Sequence, residues 1–278
     1  MSVLRVIGMS MLLIGSRFTA NADEDVQAGA ELDVEEIVEQ SNHVSYYADD
    51  DGRARVEMEI TDGQGRTRNR RFTILRFDEP GEENDRGLSD HDQRFYVYFD
   101  RPADISKMVF MVHKHLGRDD DRWMYLPSLD LVKRIAATDK RTSFVGSDFY
   151  YEDVSGRRLE DDVHELLETT ENYYKIKNTP IDTSLVEFDH YVMWIHKGTF
   201  LPITVEYFDE GGNKYREYKA EKVEEIDGNW TVTKSSMSNL ETGSKSVMSY
   251  SEVRFKVGLD ADIFTERCLR KPPRKFLR

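Results

Sequence analysis

The sequence predicts a mainly β protein built on one antiparallel sheet, with a single helix near its start. Two observations favour this fold: apolar and polar residues alternate with a period of two over much of the chain, and short turn sequences recur at close intervals. A third is the aromatic content of 11%, which supplies ample material for the core of a chain of 278 residues.

The first 22 residues are typical of a cleavable secretory signal peptide. Arg5 precedes a short apolar run, and Ala20-Asn21-Ala22 offers a cleavage site in front of an acidic segment. The apolar run is shorter than the roughly 20 residues that cross a bilayer. We therefore expect residues 1–22 to be removed on export and residues 23–278 to form a single domain.

The next stretch, "LDVEEIVEQSNHVSYY", contains the best helix signal in the chain. Its apolar residues fall on one helical stripe: Leu32, Ile37, Val38 and Val44. Asp33 stands where a carboxylate caps the free N–H groups of a first helical turn. We predict a helix after Asp33 that packs against the sheet.

After the helix the period of the pattern changes to two. In "RVEMEIT", Val56, Met58 and Ile60 alternate with charged residues, as in a half-buried strand. The turn "DGQG" (62–65) leads to a returning strand in "RTRNRRFTILRFD". Branched and aromatic residues continue the pattern in "RFYVYFDRP" and "KMVFMVHKH", so we predict further strands there.

The second half of the chain has the same character. Turn sequences at 209–213, 227–229 and 241–243 are each flanked by alternating residues. Turns this close together are typical of an antiparallel meander. Residues 159–168 fit either a helix or the first of two strands divided at "TTEN"; we favour strands.

Charge and cysteine content exclude several functional classes. The formal net charge of −14 argues against a nucleic-acid partner, because a phosphate backbone requires a basic protein face. Cys268 is the only cysteine, which excludes disulfides within the chain and paired-cysteine zinc or redox motifs. The sequence also lacks the common nucleophile-elbow, phosphate-loop and dinucleotide motifs, and we predict neither a catalytic residue nor a cofactor.

His113 and His115 are the only candidates for a metal site. On a strand they would share one face, with a third ligand available from Asp119, Asp120 or Asp121. Such a site would suit a metal-assisted hydrolase. The alternative, which we favour, is a strand that ends in a solvated polar turn and binds no metal.

Arginines are concentrated in "RTRNRR". Arg66, Arg68 and Arg70 would share one face of a strand and form a basic stripe on an acidic protein. This stripe either contacts anionic head groups or an acidic partner, or protects an edge strand from aggregation.

The stretch "GSDFYYED" (146–153) combines aromatic and acidic residues. Gly146 and Ser147 suit a turn in which Asp148 bonds backbone amides. On a strand, Phe149 and Tyr151 would point inwards, while Glu152 and Asp153 would face opposite sides and could not act as a catalytic pair. We therefore interpret the stretch as a rigid corner.

The segment "RWMYLPSLDLVKRIAATDKRTSFVGSDFYYEDV" (122–154) resembles the core signature of the LolA-like outer-membrane lipoprotein-sorting protein family. The matching residues are Trp123, Tyr125, Leu126, Pro127, Lys133, Arg134, Ile135, Phe144, Gly146, Ser147, Asp148, Phe149, Tyr151, Glu152 and Asp153. "GRTRNRRFTI", "FLPITVEYFDEGGN" and "DADIFTERCLR" extend the likeness over about residues 32–270.

This resemblance implies a curved antiparallel sheet that forms an incomplete, half-open β-barrel covered by helices around a hydrophobic cavity, as in LolA and LolB. It implies a periplasmic carrier that binds a lipid, a lipoprotein acyl chain or another hydrophobic ligand and moves it towards the outer membrane. It also implies an RND-type (MmpL-like) inner-membrane exporter as a partner.

Apolar side chains on the inner side of the strands and in the "GSDFYYED" stretch are the expected cavity lining: Phe72, Ile74, Phe95, Val97, Phe110, Val112, Trp123, Tyr125, Phe149 and Tyr151. The same residues would equally suit a filled core. In that case the protein is a non-carrying accessory subunit that docks on the exporter and modulates it.

Overall fold

The computed structural model of the chain describes residues 32–85, 88 and 90–278. The predicted signal peptide, residues 1–22, lies outside the described residues. Residues 33–278 form one unit by their contacts. The extent predicted for the domain, 23–278, stays a prediction.

Helix α1 spans Val34–Tyr46 and confirms the predicted start of the fold. The Asp33 carboxylate accepts a hydrogen bond from the backbone N–H of Glu36, and the Glu36 carboxylate accepts one from the N–H of Asp33. This reciprocal capping box satisfies two of the free donors at the helix start. Ile37, Val38 and Ser41 form the buried face of the helix.

We expect Asp33→Ala to lower the free energy of unfolding by about 1 kcal/mol, because the N–H of Glu36 loses its acceptor. Chemical denaturation at neutral pH measures this loss. Glu35→Ala is the matched control, since Glu35 is an exposed acid of the same turn that makes no capping bond. Equal losses in the two variants would show that the cap contributes nothing beyond the charge of the first turn.

Strands form most of the remaining structure, as predicted. They are β1 Asp51–Thr61, β2 Thr67–Asp78, β3 Gln93–Arg101, β4 Val109–Lys114, β5 Asp121–Leu126, β6 Leu131–Ile135, β7 Asp162–Thr169, β8 Tyr173–Pro180, β9 His190–His196, β10 Pro202–Phe208, β11 Lys214–Ile226, β12 Asn229–Asn239 and β13 Ser244–Phe255. Two short helices, α2 Tyr151–Ser155 and α3 Glu266–Arg270, follow β6 and β13. Short 3₁₀ turns occur at Pro127–Leu129, Ala137–Asp139, Leu159–Asp161, Thr183–Leu185, Ala261–Ile263 and Arg274–Phe276.

All of these strands belong to one antiparallel sheet of 13 strands, in the order β6-β5-β4-β3-β2-β1-β13-β12-β11-β10-β9-β8-β7. The sheet consists of two meanders that meet where β1 pairs with β13. β6 and β7 form its two edges, so the sheet is not closed. The segment 159–168, which we assigned to strands, begins with a 3₁₀ turn and continues as β7.

The sheet is curved, and its concave side faces the segment that joins its two edges. We name this segment, residues 136–161, the plug. Arg68 on β2, Arg216 on β11 and Ser246 on β13 all bond to plug residues, although β2 and β11 lie four positions apart in the sheet. The structure therefore has a mainly β, half-open architecture.

The predicted cover of helices is not confirmed. α1 contacts β7 and β12, whereas the plug is irregular apart from α2 and two 3₁₀ turns. Throughout the described ranges, no helix is both long enough and apolar enough to cross a bilayer.

The C-terminal segment, residues 256–278, covers part of the opposite, outer face of the sheet. Its apolar residues pack with Leu75, Tyr96 and Met111. The guanidinium of Arg53 donates to the carbonyls of Phe276 and Arg278, at 2.8 and 3.0 Å. This segment stabilises the outer face of the first meander and leaves the inner face to the plug.

Candidate apolar binding face and its plug

The inner face of β1–β5 is a continuous apolar surface that the plug covers. Phe144 of the plug is fully buried and packs its ring 5.5 Å from that of Phe110 and 6.1 Å from that of Phe72, measured between centroids. The Tyr151 ring lies 5.1 Å from Phe110. The volume that a ligand would need is therefore filled by side chains of the protein itself.

Six of the predicted lining residues lie on this inner face, in one cluster with the plug: Phe72, Ile74, Phe95, Val97, Phe110 and Val112. Their common face follows from the alternation of side chains along β2, β3 and β4. Phe149 and Tyr151 belong to the same cluster but come from the plug. Binding of a ligand by these residues stays a prediction.

Trp123 and Tyr125 do not lie with the others. In the register of β4 and β5, Met124 is the partner of Phe110, so it is Met124 that faces the inner side. The two aromatic residues beside it pack against the outer cluster under the C-terminal segment. Their inclusion in the inner set is wrong, because neighbouring residues of a strand point to opposite faces.

The "GSDFYYED" stretch forms a turn and then the start of α2, not a strand. Gly146 has a φ of 81°, which favours glycine at this position of the turn. The prediction that the Asp148 carboxylate bonds backbone amides of its own turn is wrong; the carboxylate accepts hydrogen bonds from the hydroxyls of Ser244 and Ser246. The stretch thus attaches the plug to β13.

Glu152 is the centre of a buried group of charges in the plug. Only 2% of the residue is exposed, and its carboxylate lies 2.9 Å from Lys140 Nζ, 3.2 Å from Arg141 and 3.5 Å from Arg157. Burial alone would raise the pKa of Glu152, but these three cations lower it to about 2. The carboxylate is therefore ionised and neutralised inside the protein.

The same group of charges connects the plug to the second meander. Arg216 on β11, which is 1% exposed, bonds the Asp153 carboxylate and donates to the carbonyl of Asp148 at 2.9 Å. Arg141 donates to Glu187 at 2.6 and 3.0 Å.

Aromatic rings enclose these guanidinium groups. The Tyr150 ring centroid lies 4.0 Å from the guanidinium carbon of Arg216 and 4.9 Å from that of Arg141, and Tyr207 contacts both. Such contacts strengthen when the cation is desolvated. We call this group of paired charges the ion lock: Lys140, Arg141, Glu152, Asp153, Arg157, Glu187 and Arg216.

A further contact joins the C-terminal part of the plug to α1. Lys114 Nζ donates to the carbonyl of Ser155 at 2.9 Å and lies 5.1 Å from the centre of the Tyr46 ring. Gly156 packs directly on that ring, and a Cβ at this position would come within 2.7 Å of it. Apolar contacts, the ion lock and α1 together hold the plug in place.

The predicted basic stripe lies at the rim of the inner face. Arg66 is in the turn before β2 and pairs with Asp62 at 2.7 Å. Arg68 reaches the carbonyl of Gly146 at 3.4 Å, and Arg70 is partly buried. Contact of these arginines with head groups or an acidic partner stays a prediction.

His113 and His115 do not point to a common site. His113 bonds the carbonyl of Phe264 through Nε2 at 2.8 Å. His115 lies between Asp92, at 2.6 Å, and Asp121, at 3.3 Å. Among the described residues, no group of three or more histidine, cysteine or acidic side chains has an arrangement that could hold a metal ion.

An open groove of about 1450 Å³ runs along the outer face of β1, β2 and β13. Charged residues of both signs line it, including Glu57, Glu59, Arg71 and Lys107. This lining does not suit an apolar chain, because each charge that the chain covered would lose its hydration.

The comparisons with known proteins agree with the fold. The model of a family described as "uncharacterized protein" matches residues 91–271. A DUF1329 family protein from Desulfovibrio piger is 28% identical, with a TM-score of 0.72, covering 84% of this chain and 95% of that one. A candidate outer membrane lipoprotein-sorting protein domain from Vibrio parahaemolyticus is 25% identical, with a TM-score of 0.75, covering 84% of this chain and 97% of that one.

A LolA superfamily protein from Nitrosomonas europaea is similar in fold, with 20% identity, a TM-score of 0.63 and coverage of 85% of this chain and 99% of that chain. No curated protein matches the chain.

A half-open antiparallel sheet with an apolar inner face defines the LolA-like class of proteins, and this chain has that fold. Within this class, the chain belongs to the DUF1329 family.

Proposed function

We propose that the protein is a periplasmic carrier that binds a lipid, a lipoprotein acyl chain or another apolar chain on the inner face of its sheet and moves it towards the outer membrane. The observation that carries this proposal is the nature of the cover. The apolar inner face is closed by the plug, an irregular segment, instead of a second layer of sheet or long helices. A bound apolar chain takes the place of the plug's aromatic side chains.

Burial of the plug's aromatic side chains and burial of a bound acyl chain contribute free energies of similar size. Burial of an aromatic side chain contributes about 2–3 kcal/mol, so Phe144, Phe149 and Tyr151 together contribute about 6–9 kcal/mol. An acyl chain of about 15 methylenes gains about 12 kcal/mol, at about 0.8 kcal/mol for each. The apolar contacts alone therefore allow exchange, and the ion lock determines how readily the plug leaves.

The periplasmic location rests on the predicted signal peptide and on the LolA-like fold. A lipid or a lipidated protein is the proposed cargo, and an RND-type exporter is the proposed partner on the inner-membrane side. The rim arginines Arg68 and Arg70 lie beside the mouth of the inner face, where an anionic head group of a bound lipid would come to rest. The proposed function requires no catalytic residue and no cofactor.

Organic extraction and native mass spectrometry of the purified protein test the proposal. We expect an acyl compound in a 1:1 complex, lost after unfolding in guanidinium and regained when the refolded protein is incubated with phospholipid vesicles. The unfolded and refolded protein without vesicles is the control. A lipid-free protein that acquires nothing from the vesicles would contradict carriage.

The second candidate function is a non-carrying subunit that docks on an exporter. The filled interior favours it, because Phe144 packs on the inner face and the ion lock holds the plug across it. Lipid-free protein that binds the periplasmic domains of an RND exporter in a pull-down would support this alternative.

A further inference from the structure

One edge of the sheet combines unpaired backbone, exposed apolar side chains and negative charge. In the described part of the chain, β7 pairs with β8 alone, so the N–H and C=O groups of its other side have no strand partner, although α1 contacts the same strand. Val163 and Leu167 on this strand are 61% and 45% exposed. Ile181 and Leu185, in the loop after β8, are 66% and 38% exposed.

The charges of this edge are acidic. Glu160, Glu165, Glu168 and Glu171 are all exposed and take part in none of the ion pairs found in the described residues. Lys177 and Lys175 lie across from Glu165 and Glu168 on β8, but Lys175 stacks on the Trp194 ring at 4.6 Å. The exposed charges beside the free side of β7 are therefore mainly negative, and Lys177 is the cross-strand neighbour of Glu165.

We propose that the β7 edge, residues 162–169, is a docking site for an extended basic segment of a partner protein, which adds to the sheet as a further strand. Backbone hydrogen bonds would give affinity, and alternating apolar and Lys or Arg side chains would match Val163, Leu167 and the glutamates. The site lies outside the inner face, so the inference is independent of carriage.

Charge selects this occupant over a second copy paired through the same edge. Two copies of β7 side by side would bring Glu165 and Glu168 close to like charges, which destabilises cross-strand pairs. The opposite edge, β6, carries exposed Leu131, Lys133 and Arg134. Head-to-tail association of β6 with β7 of another copy is thus the competing outcome that the experiment must distinguish.

Labelled octapeptides provide the probes: alternating Val-Lys, alternating Val-Glu and alternating Pro-Lys. Pro-Lys has the same charge as Val-Lys but half of its residues lack the N–H needed for strand addition. Fluorescence anisotropy should give at least tenfold tighter binding for Val-Lys than for either other peptide. Hydrogen exchange should show new protection confined to residues 162–169 and the adjoining loop.

Two variants test the assignment to β7. Val163→Ser with Leu167→Ser should weaken Val-Lys binding at least fivefold, whereas Leu240→Ser, which alters a turn leucine that is 46% exposed, should leave it unchanged. Glu165→Lys with Glu168→Lys should transfer the preference to Val-Glu.

Three results would overturn the proposal. The first is equal binding of Pro-Lys and Val-Lys, which would indicate general attraction of cations to an acidic protein. The second is exchange protection outside residues 162–169 and the adjoining loop. The third is self-association of the protein without peptide, measured by sedimentation velocity and abolished by Leu167→Ser. This result would assign the edge to a second copy of the chain.

Discussion

Glu152→Gln is expected to lower the free energy of unfolding by about 3–5 kcal/mol, because three cations then remain buried without their common carboxylate. Denaturant unfolding at pH 7, followed by tryptophan fluorescence, measures the change. Glu217→Gln is the matched control. Glu217 also pairs with two cations, Lys214 and Lys219, but near the surface, where an ion pair contributes about 1 kcal/mol or less.

The same residue should produce an acid dependence of stability. Its pKa is about 2 in the folded protein, below the ordinary value of 4.5. Its stabilising contribution is therefore complete above a pH of about 5 and is lost as the pH falls towards 2, a change of order 3 kcal/mol. Glu152→Gln should lack this part of the acid loss. Two results would show that the ion lock does not hold the plug. One is a free energy of unfolding that depends on pH in the same way in the wild type and in Glu152→Gln. The other is an equal loss of stability at pH 7 in Glu152→Gln and Glu217→Gln.

The strands and their inner face can be predicted from the sequence, because both depend on the alternation of apolar and polar residues over a short range. Phe72, Phe95 and Phe110 fall on one face since each strand keeps its period of two between turns. Trp123 and Tyr125 were misplaced because the face of β5 depends on its register with β4. A shift of one residue in register moves every side chain of a strand to the other face, and the sequence of the turn does not fix that register.

The ion lock cannot be predicted from the sequence in the same way. Arg216 and Asp153 are 63 positions apart, and neither has a local pattern that names its partner. The one signal available was the occurrence of Lys140-Arg141 and Arg157-Arg158 on either side of an aromatic stretch. Charges at both ends of an apolar segment are compatible with a solvated loop, so the burial of that segment could be established only from the fold.

The plug also explains why "GSDFYYED" forms no strand. Phe144, Phe149 and Tyr151 pack together on the inner face, which requires the chain to turn between residues 144 and 149. Ser147 completes that turn by donating its hydroxyl to the carbonyl of Phe144 at 2.7 Å. Glu152 and Asp153 of this stretch neutralise arginines and a lysine.

The variant Phe144→Ala provides the most direct test of whether the protein is a carrier or a docking subunit. Removal of this fully buried ring should lower the free energy of unfolding by about 3–5 kcal/mol and leave a cavity between the plug and the inner face. If an apolar chain binds there, a fluorescent fatty acid should bind the variant at least tenfold more tightly than the wild type, because part of the plug has already been removed.

Phe264→Ala is the matched control, since Phe264 is also fully buried but belongs to the C-terminal segment and packs on the outer face of the sheet. It should lose a similar amount of stability and gain no affinity for the fatty acid. An equal gain in both variants would indicate binding to any apolar cavity or to a loosened fold. No gain in Phe144→Ala, with its fold intact by circular dichroism, would count against the inner face as a ligand site and leave docking as the function of the fold.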